Sequence, residues 1–224
     1  MLDAFELTID GAPVEVAHPA RRLLALLAIK HHPLLRTHVA GVLWLNHSDD
    51  RAAANLRSAL WRVRALGVPI IDTRNGTLQL LPWVEVDLVG ATSAAHRWLA
   101  GLETDADRDA GSTALEGELL PDSYDDWLTD DREGFRQLRL HALEAMAERF
   151  AEADRCGDAI LAALAAVAAD PLRESAHRAV IKVYLAEGNL AAAIRQLHRC
   201  ERLMLDEVGV PPSSRLADLI QHGV

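Results

Sequence analysis

Apolar and polar residues alternate in FELTID (5–10) and again in VEV (14–16), with the tight-turn pair Asp10-Gly11 between them, which predicts a short β-hairpin. Pro19 suits the first turn of a helix, and ARRLLALLAIKHH carries apolar residues on nearly every side, as a buried helix does, until Pro33 stops it. A second short helix is expected at about 36–45, with Val39, Val42, Leu43 and Trp44 as its apolar residues. The polar loop Asn46-His47-Ser48-Asp49 follows, and Ser48, Asp49 or Asp50 can cap the next helix. That helix, RAAANLRSALWRVRAL (51–66), is amphipathic: Leu56, Ala59, Leu60 and Val63 form an inner stripe, and Arg51, Asn55, Ser58 and Arg62 an outer one. After Gly67, VPIID and TLQLL flank Asn75-Gly76 and read as a second hairpin.

Hairpin, three helices, hairpin is the element order of a winged helix-turn-helix, in which the third helix enters the major groove and the terminal hairpin lies along the flanking backbone. The outer stripe of the third helix contains no carboxylate. Its Arg, Asn and Ser side chains can donate to phosphates and read base edges. The candidate DNA contacts are Arg51, Asn55, Arg57, Ser58, Arg62 and Arg64, with Arg74 near the hairpin tip placed for a phosphate or the minor groove.

From Thr92 onward the pattern is helical, and a period appears. Phe150 and Tyr184, Ala159 and Ala193, Ile160 and Ile194, and Ala166 and Cys200 are each 34 residues apart, the length of a tetratricopeptide helix-turn-helix unit. Gly188 falls at the turn between paired helices, with Asp154 at the matching place, and Pro171 falls where a unit ends. Two repeats cannot bury a continuous face alone, so helices at about 93–103, 125–140 and 213–221 are expected to cap the stack. The expected fold class is mainly α with small β: a winged helix-turn-helix DNA-binding domain over 1–90 and tetratricopeptide-like helices over 91–224. Residues 1–90 are expected to fold and bind DNA alone, less tightly than the whole.

Charge supports that division. The net charge of −10 looks unsuited to DNA until it is split. Residues 1–97 carry ten Arg and Lys against nine Asp and Glu; residues 98–224 carry 13 against 24. A locally basic surface on a near-neutral domain can still bind DNA, while a broad polyanion binder is excluded. No apolar run reaches the roughly 18 residues of a membrane span, and no secretory signal opens the chain, so a cytoplasmic protein is expected.

Catalytic and metal motifs are missing from the sequence: no phosphate loop, dinucleotide fingerprint, nucleophile elbow or metalloprotease pattern. No enzyme, cofactor or metal is expected. Adjacent His31 and His32 point about 100° apart on a helix and cannot easily share an ion. Asp122, Asp125, Asp126, Asp130 and Asp131 lack calcium-loop spacing and are expected to supply first-turn carboxylates to the helix that follows. Cys156 and Cys200 take small packed positions in the repeat scheme, with no sign of a reactive thiolate.

Several stretches together, PARRLLALLAIK, VAGVLW, DDRAAANLRSALWRVR, LLPDSYDDWLTDDREGFRQLRLHALEAMAERF and AAVAADPLRESAHRAVIKVYLAEGNLAAAIRQLHRC, resemble the antibiotic regulatory proteins of high-GC bacteria. The resemblance runs from about Phe5 to Leu219. It implies an OmpR-like winged helix joined to a bacterial transcriptional activator domain, a homodimer on direct repeats of double-stranded promoter DNA, and activation through RNA polymerase. Leu45 stands where the family pattern has Pro, which is expected to loosen the loop before the third helix. The chain ends just after the activator domain, so no attached ATPase or sensor module is expected. The rival reading is a protein-interaction adaptor that keeps the fold without binding DNA, favoured by the low positive charge and by Trp61 on the outer face.

Overall fold

A computed structural model describes residues 1–222. They divide into two compact units: Met1–Gly90 with Gly117–Glu133, and Ala91–Glu116 with the chain from Gly134 onward.

The first unit opens with a hairpin, β1 (Thr8–Ile9) and β2 (Ala12–Pro13), antiparallel with Thr8 opposite Pro13. Asp10 and Gly11 both take positive φ, the backbone that a two-residue hairpin turn requires. VEV is not a strand, although the Val14 amide still donates to the Leu7 carbonyl at 2.8 Å. Helix α1 (His18–Lys30) has Pro in its first turn and ends at His31 in the left-handed conformation. A strand too short to read from sequence, β3 (Leu34–Leu35), precedes α2 (Arg36–Leu43) and α3 (Asp49–Arg64). The second hairpin is β4 (Ile71–Asp72) with β5 (Thr77–Leu80), and β3 pairs with the other edge of β5 to make a three-stranded sheet in the order β3-β5-β4.

The core between these elements takes Leu23, Leu26 and Leu27 from α1, Val39 and Leu43 from α2, Leu56, Ala59, Leu60 and Val63 from α3, and Leu78 from β5. The inner stripe expected for α3 is therefore the buried one. Each leucine so buried contributes roughly 1.5–3 kcal/mol relative to exposure. The chain is mainly α with small β, a winged helix followed by tetratricopeptide-like helices.

Residues 117–133 depart from the expected all-helical reading after Thr92. Leu119 makes an antiparallel bridge with Leu2, and Trp127 packs on the first unit's core beside partly buried Phe5 and Leu7. Arg132 folds back to donate to the carbonyls of Leu119, Leu120 and Ser123. Gly117, Pro121, Asp122 and Ser123 are turn residues that interrupt helix here. The acidic run is used differently from expectation. Asp130 and Asp131 do lie in the first turn of the long helix, but Asp125 and Asp131 pair with α1 cations: Arg22 Nε donates to Asp125 at 3.0 Å and Lys30 Nζ to Asp131 at 2.8 Å. Segment 117–133 thus lays seven carboxylates and one arginine on a unit that sequence confined to residues 1–90.

In the second unit α4 (Asp87–Ala100) brings Trp98 against Phe150, ring centroids 5.1 Å apart. Short α5 (Asp105–Ala110) begins with a capping box between Thr104 and Asp107, and Arg97 grips Asp107, holding that carboxyl well below its usual range. Four long helices follow: α6 (Thr129–Glu152), α7 (Cys156–Ala169), α8 (Glu174–Ala186) and α9 (Leu190–Val208), then α10 (Ser214–His222). The period of 34 is physical. The Arg155 amide donates to the Phe150 carbonyl at 2.8 Å, and the Asn189 amide to the Tyr184 carbonyl at 2.7 Å, closing equivalent turns. Asp154 adopts φ 59° where Gly188 adopts φ 70°. A side chain in that backbone conformation is strained, so Asp154→Gly is expected to raise stability by about 0.5–1 kcal/mol, and Gly188→Ala to lower it by about 1 kcal/mol. Urea unfolding checks both.

Small residues let these helices close. Ala159, Ala162, Ala163 and Ala166 of α7, with Ala193 and Cys200 of α9, are fully buried. Burial pushes the Cys200 thiol up to about 11, with Glu174 and Glu201 adding to it, so at neutral pH it is a packed thiol. His177 is also fully buried: its Nε2–H donates to the Pro171 carbonyl at 2.9 Å, and Nδ1 accepts from the Gln196 amide at 2.8 Å. Burial is the largest influence and holds this imidazole below its ordinary value, aided by Arg199 and opposed by the Pro171 bond. The unfolded chain then binds this proton more readily than the folded one. Stability of the second unit is therefore expected to fall as pH drops below about 6.5. His177→Gln should flatten that acid limb in thermal melts between pH 7 and 5.

Candidate nucleic-acid interface

Helix α3 follows an N-cap at Ser48, whose hydroxyl makes no capping bond; Asp49 and Asp50 in the first turn complement the positive end of the helix instead. In the preceding loop the His47 amide donates to the Trp44 carbonyl at 3.0 Å, and Leu45 projects outward. With the inner stripe locked in the core, the rest of α3 faces solvent. Arg51, Arg57, Ser58, Arg62 and Arg64 are exposed, and Asn55 is half-buried.

The seven candidate residues do not form one patch. Arg51, Asn55, Ser58 and Arg62 share one flank of α3, while Arg57 and Arg64 lie on the other. A cleft of about 600 Å³ opens on the second flank, lined by Arg57 and Ala53 of α3, Arg36 and Thr37 of α2, Asp49, and Gly76 at the wing tip. This brings Arg57, Arg36 and the wing together. Arg36 escaped sequence reading because it looked like an isolated cation at a helix start; only the β3-β5 pairing sets α2 beside the wing. Trp61 also stands out, 69% exposed on the outward side of α3.

The cations of the unit fall into two groups. Those of α1 are engaged, Arg22 by Asp125, Lys30 by Asp131, and Arg21 over the Phe5 ring at 5.6 Å. Arg36, Arg51, Arg57, Arg62 and Arg64 have no ion pair or hydrogen bond among the described residues, a free positive strip along α2 and α3. Arg74 belongs with the engaged group. Its Nε donates to both Asp72 oxygens, at 3.0 and 2.9 Å, and its guanidinium holds the Asp72 carboxyl at about 2. The wing tip is thus charge-balanced, and any phosphate there competes with Asp72.

Among the described residues no three His, Cys, Asp or Glu side chains group to hold a metal, and no helix is long and apolar enough to cross a membrane.

A winged helix with a free basic strip on its third helix, followed by a 34-residue-period helical stack, defines the class of the chain as a winged-helix protein with a tetratricopeptide-like second domain. Residues 90–222 match the bacterial transcriptional activator domain. Regulatory protein AfsR of Streptomyces coelicolor is 27% identical over 227 residues, covering 95% of this chain and 23% of AfsR. EmbR of Mycobacterium tuberculosis, solved in complex with a low-affinity phosphopeptide, superposes with a TM-score of 0.74 at 22% identity, over 99% of this chain and 63% of that one. The chain therefore spans less than a quarter of AfsR and less than two thirds of EmbR. It belongs to the bacterial transcriptional activator domain family.

Proposed function

We propose that the first unit binds double-stranded promoter DNA sequence-specifically, with α3 in the major groove and the β4–β5 wing along the flanking backbone, and that the helical unit activates transcription by contacting RNA polymerase. A second copy on an adjacent repeat makes the bound form a homodimer. The observation that carries this reading is the sorting of charge: the α1 cations are matched within the unit, whereas Arg51, Arg57, Arg62 and Arg64 of α3 are not. Free cations on a helix whose inner face is fully occupied are suited to phosphates. Net charge does not separate the units, since the first carries 10 Arg and Lys against 16 Asp and Glu and the second 13 against 17; the local strip of free cations on α3 is what favours DNA at the first.

Salt dependence tests the first half. Each neutralised phosphate contributes about 0.9 to the slope of log K against log salt, so four or five free arginines predict a slope near −4 per protomer. No retardation of the gene's own upstream DNA at low salt would leave the adaptor reading, for which exposed Trp61 speaks. A slope equivalent to ten phosphates would require the α1 cations to be free.

A further inference from the structure

Trp61 is the one large apolar side chain on the outward side of α3, and nothing in the first unit covers it. A helix turns about 100° per residue, so Ala54, Ser58, Trp61 and Ala65 share the side opposite the buried stripe. All four are exposed. The outward side is thus a floor of small residues from which a single indole rises. Arg57 and Arg64 run along one edge of this floor and Arg51 and Arg62 along the other. No aromatic ring or guanidinium packs on the indole among the described residues.

The surroundings select its occupant. Four unpaired arginines without a carboxylate between residues 51 and 64 fit a polyanion that passes along both edges of the helix, which is how the two phosphate backbones border a major groove. Small residues on the leading side let the helix approach base edges closely. The indole then points at the groove floor, where the apolar group on offer is the C5-methyl of thymine. We propose that Trp61 is a specificity-determining residue that reads thymine by covering its methyl group, while the flanking arginines hold the backbone. This rests on the DNA-binding reading above and adds a base to it.

The full-length chain is used to select duplexes from a random library, and the selected duplex is remade with deoxyuridine replacing thymine one position at a time, which deletes the methyl alone. Wild type is expected to lose about three- to fivefold in affinity at one or two positions, the partition free energy of one buried carbon. Trp61→Ala is expected to bind the thymine duplex about tenfold or more weakly. It should show no further loss on deoxyuridine at those positions and should keep the wild-type salt slope, because no cation has been removed. Trp61→Phe should recover part of the thymine dependence. Trp61 is exposed, so circular dichroism should match wild type. Wild-type affinity in Trp61→Ala, or equal deoxyuridine losses in both proteins, overturns the contact while leaving DNA binding standing. A wild type that enriches no duplex overturns both.

Discussion

A fragment ending at Gly90 is expected to lose much of its stability, and Trp127→Ala in the full chain to lower the stability of the first unit by about 2–4 kcal/mol. Trp127 packs on the core formed by α1, α2 and α3, although it lies far along the chain from all three. Removing its ring leaves a void on one side of that core. The same segment supplies the Leu2–Leu119 bridge and the partners of Arg22 and Lys30. The Arg22–Asp125 pair is mostly shielded from water, so Asp125→Ala is expected to cost about 1–2 kcal/mol, more than an exposed pair would. Urea unfolding followed by tryptophan fluorescence, on the full chain and on residues 1–90, measures these losses. Equal stability of the fragment and of the first unit in the intact chain would show the segment to be dispensable.

Removing the segment has a second consequence, for charge. Arg22 and Lys30 become free in the fragment, and its salt slope should steepen by about one to two phosphates relative to the full chain. Segment 117–133 then acts as a charge mask that confines the free cations to α2 and α3.

Arg57→Ala combined with Arg62→Ala is expected to weaken specific DNA binding by about 2–5 kcal/mol, with each single change contributing about 1–3 kcal/mol if its guanidinium meets a base. The two residues lie on opposite flanks of α3, about 140° apart around the axis, so their losses should be nearly additive. Arg57 is expected to be the larger of the two, because it shares a cleft with Arg36 and the wing tip. Asn55→Ala should have a smaller effect, since that side chain is half-buried. Arg74→Ala should cost least among the arginines, because Asp72 already holds its guanidinium. Gel shifts at two salt concentrations rank the four. If the double variant binds as wild type does, Arg57 and Arg62 are a solvated face and the contacts fall to Arg36, Arg51 and Arg64.

Local periodicity made much of the first unit legible. The three helices, both tight turns and the inner stripe of α3 follow from spacing of apolar residues and from Asp10-Gly11 and Asn75-Gly76, since these are decided within a few residues. The tetratricopeptide-like pairing was legible for the same reason, as a repeat places equal residues in equal environments, down to the matching backbone bonds at Phe150 and Tyr184. Segment 117–133 was not legible, because its partners in α1 lie about a hundred residues away and an acidic run looks alike whether it caps a helix or grips a distant lysine.

The same limit divides the candidate site. Sequence by itself determined which side of α3 is buried and which residues remain to face outward, because helical geometry alone sets both. It could not tell a free arginine from a matched one, since Arg74 and Arg57 carry the same charge in the chain. The Asp72–Arg74 pair, two residues apart, is a contact within the wing that charge alone does not announce, whereas only the tertiary structure decided that Asp125 and Asp131 close over α1 and that Arg36 comes beside Arg57. Charge pairing depends on distances of a few ångström between groups remote in sequence, and those distances exist only once the core has packed.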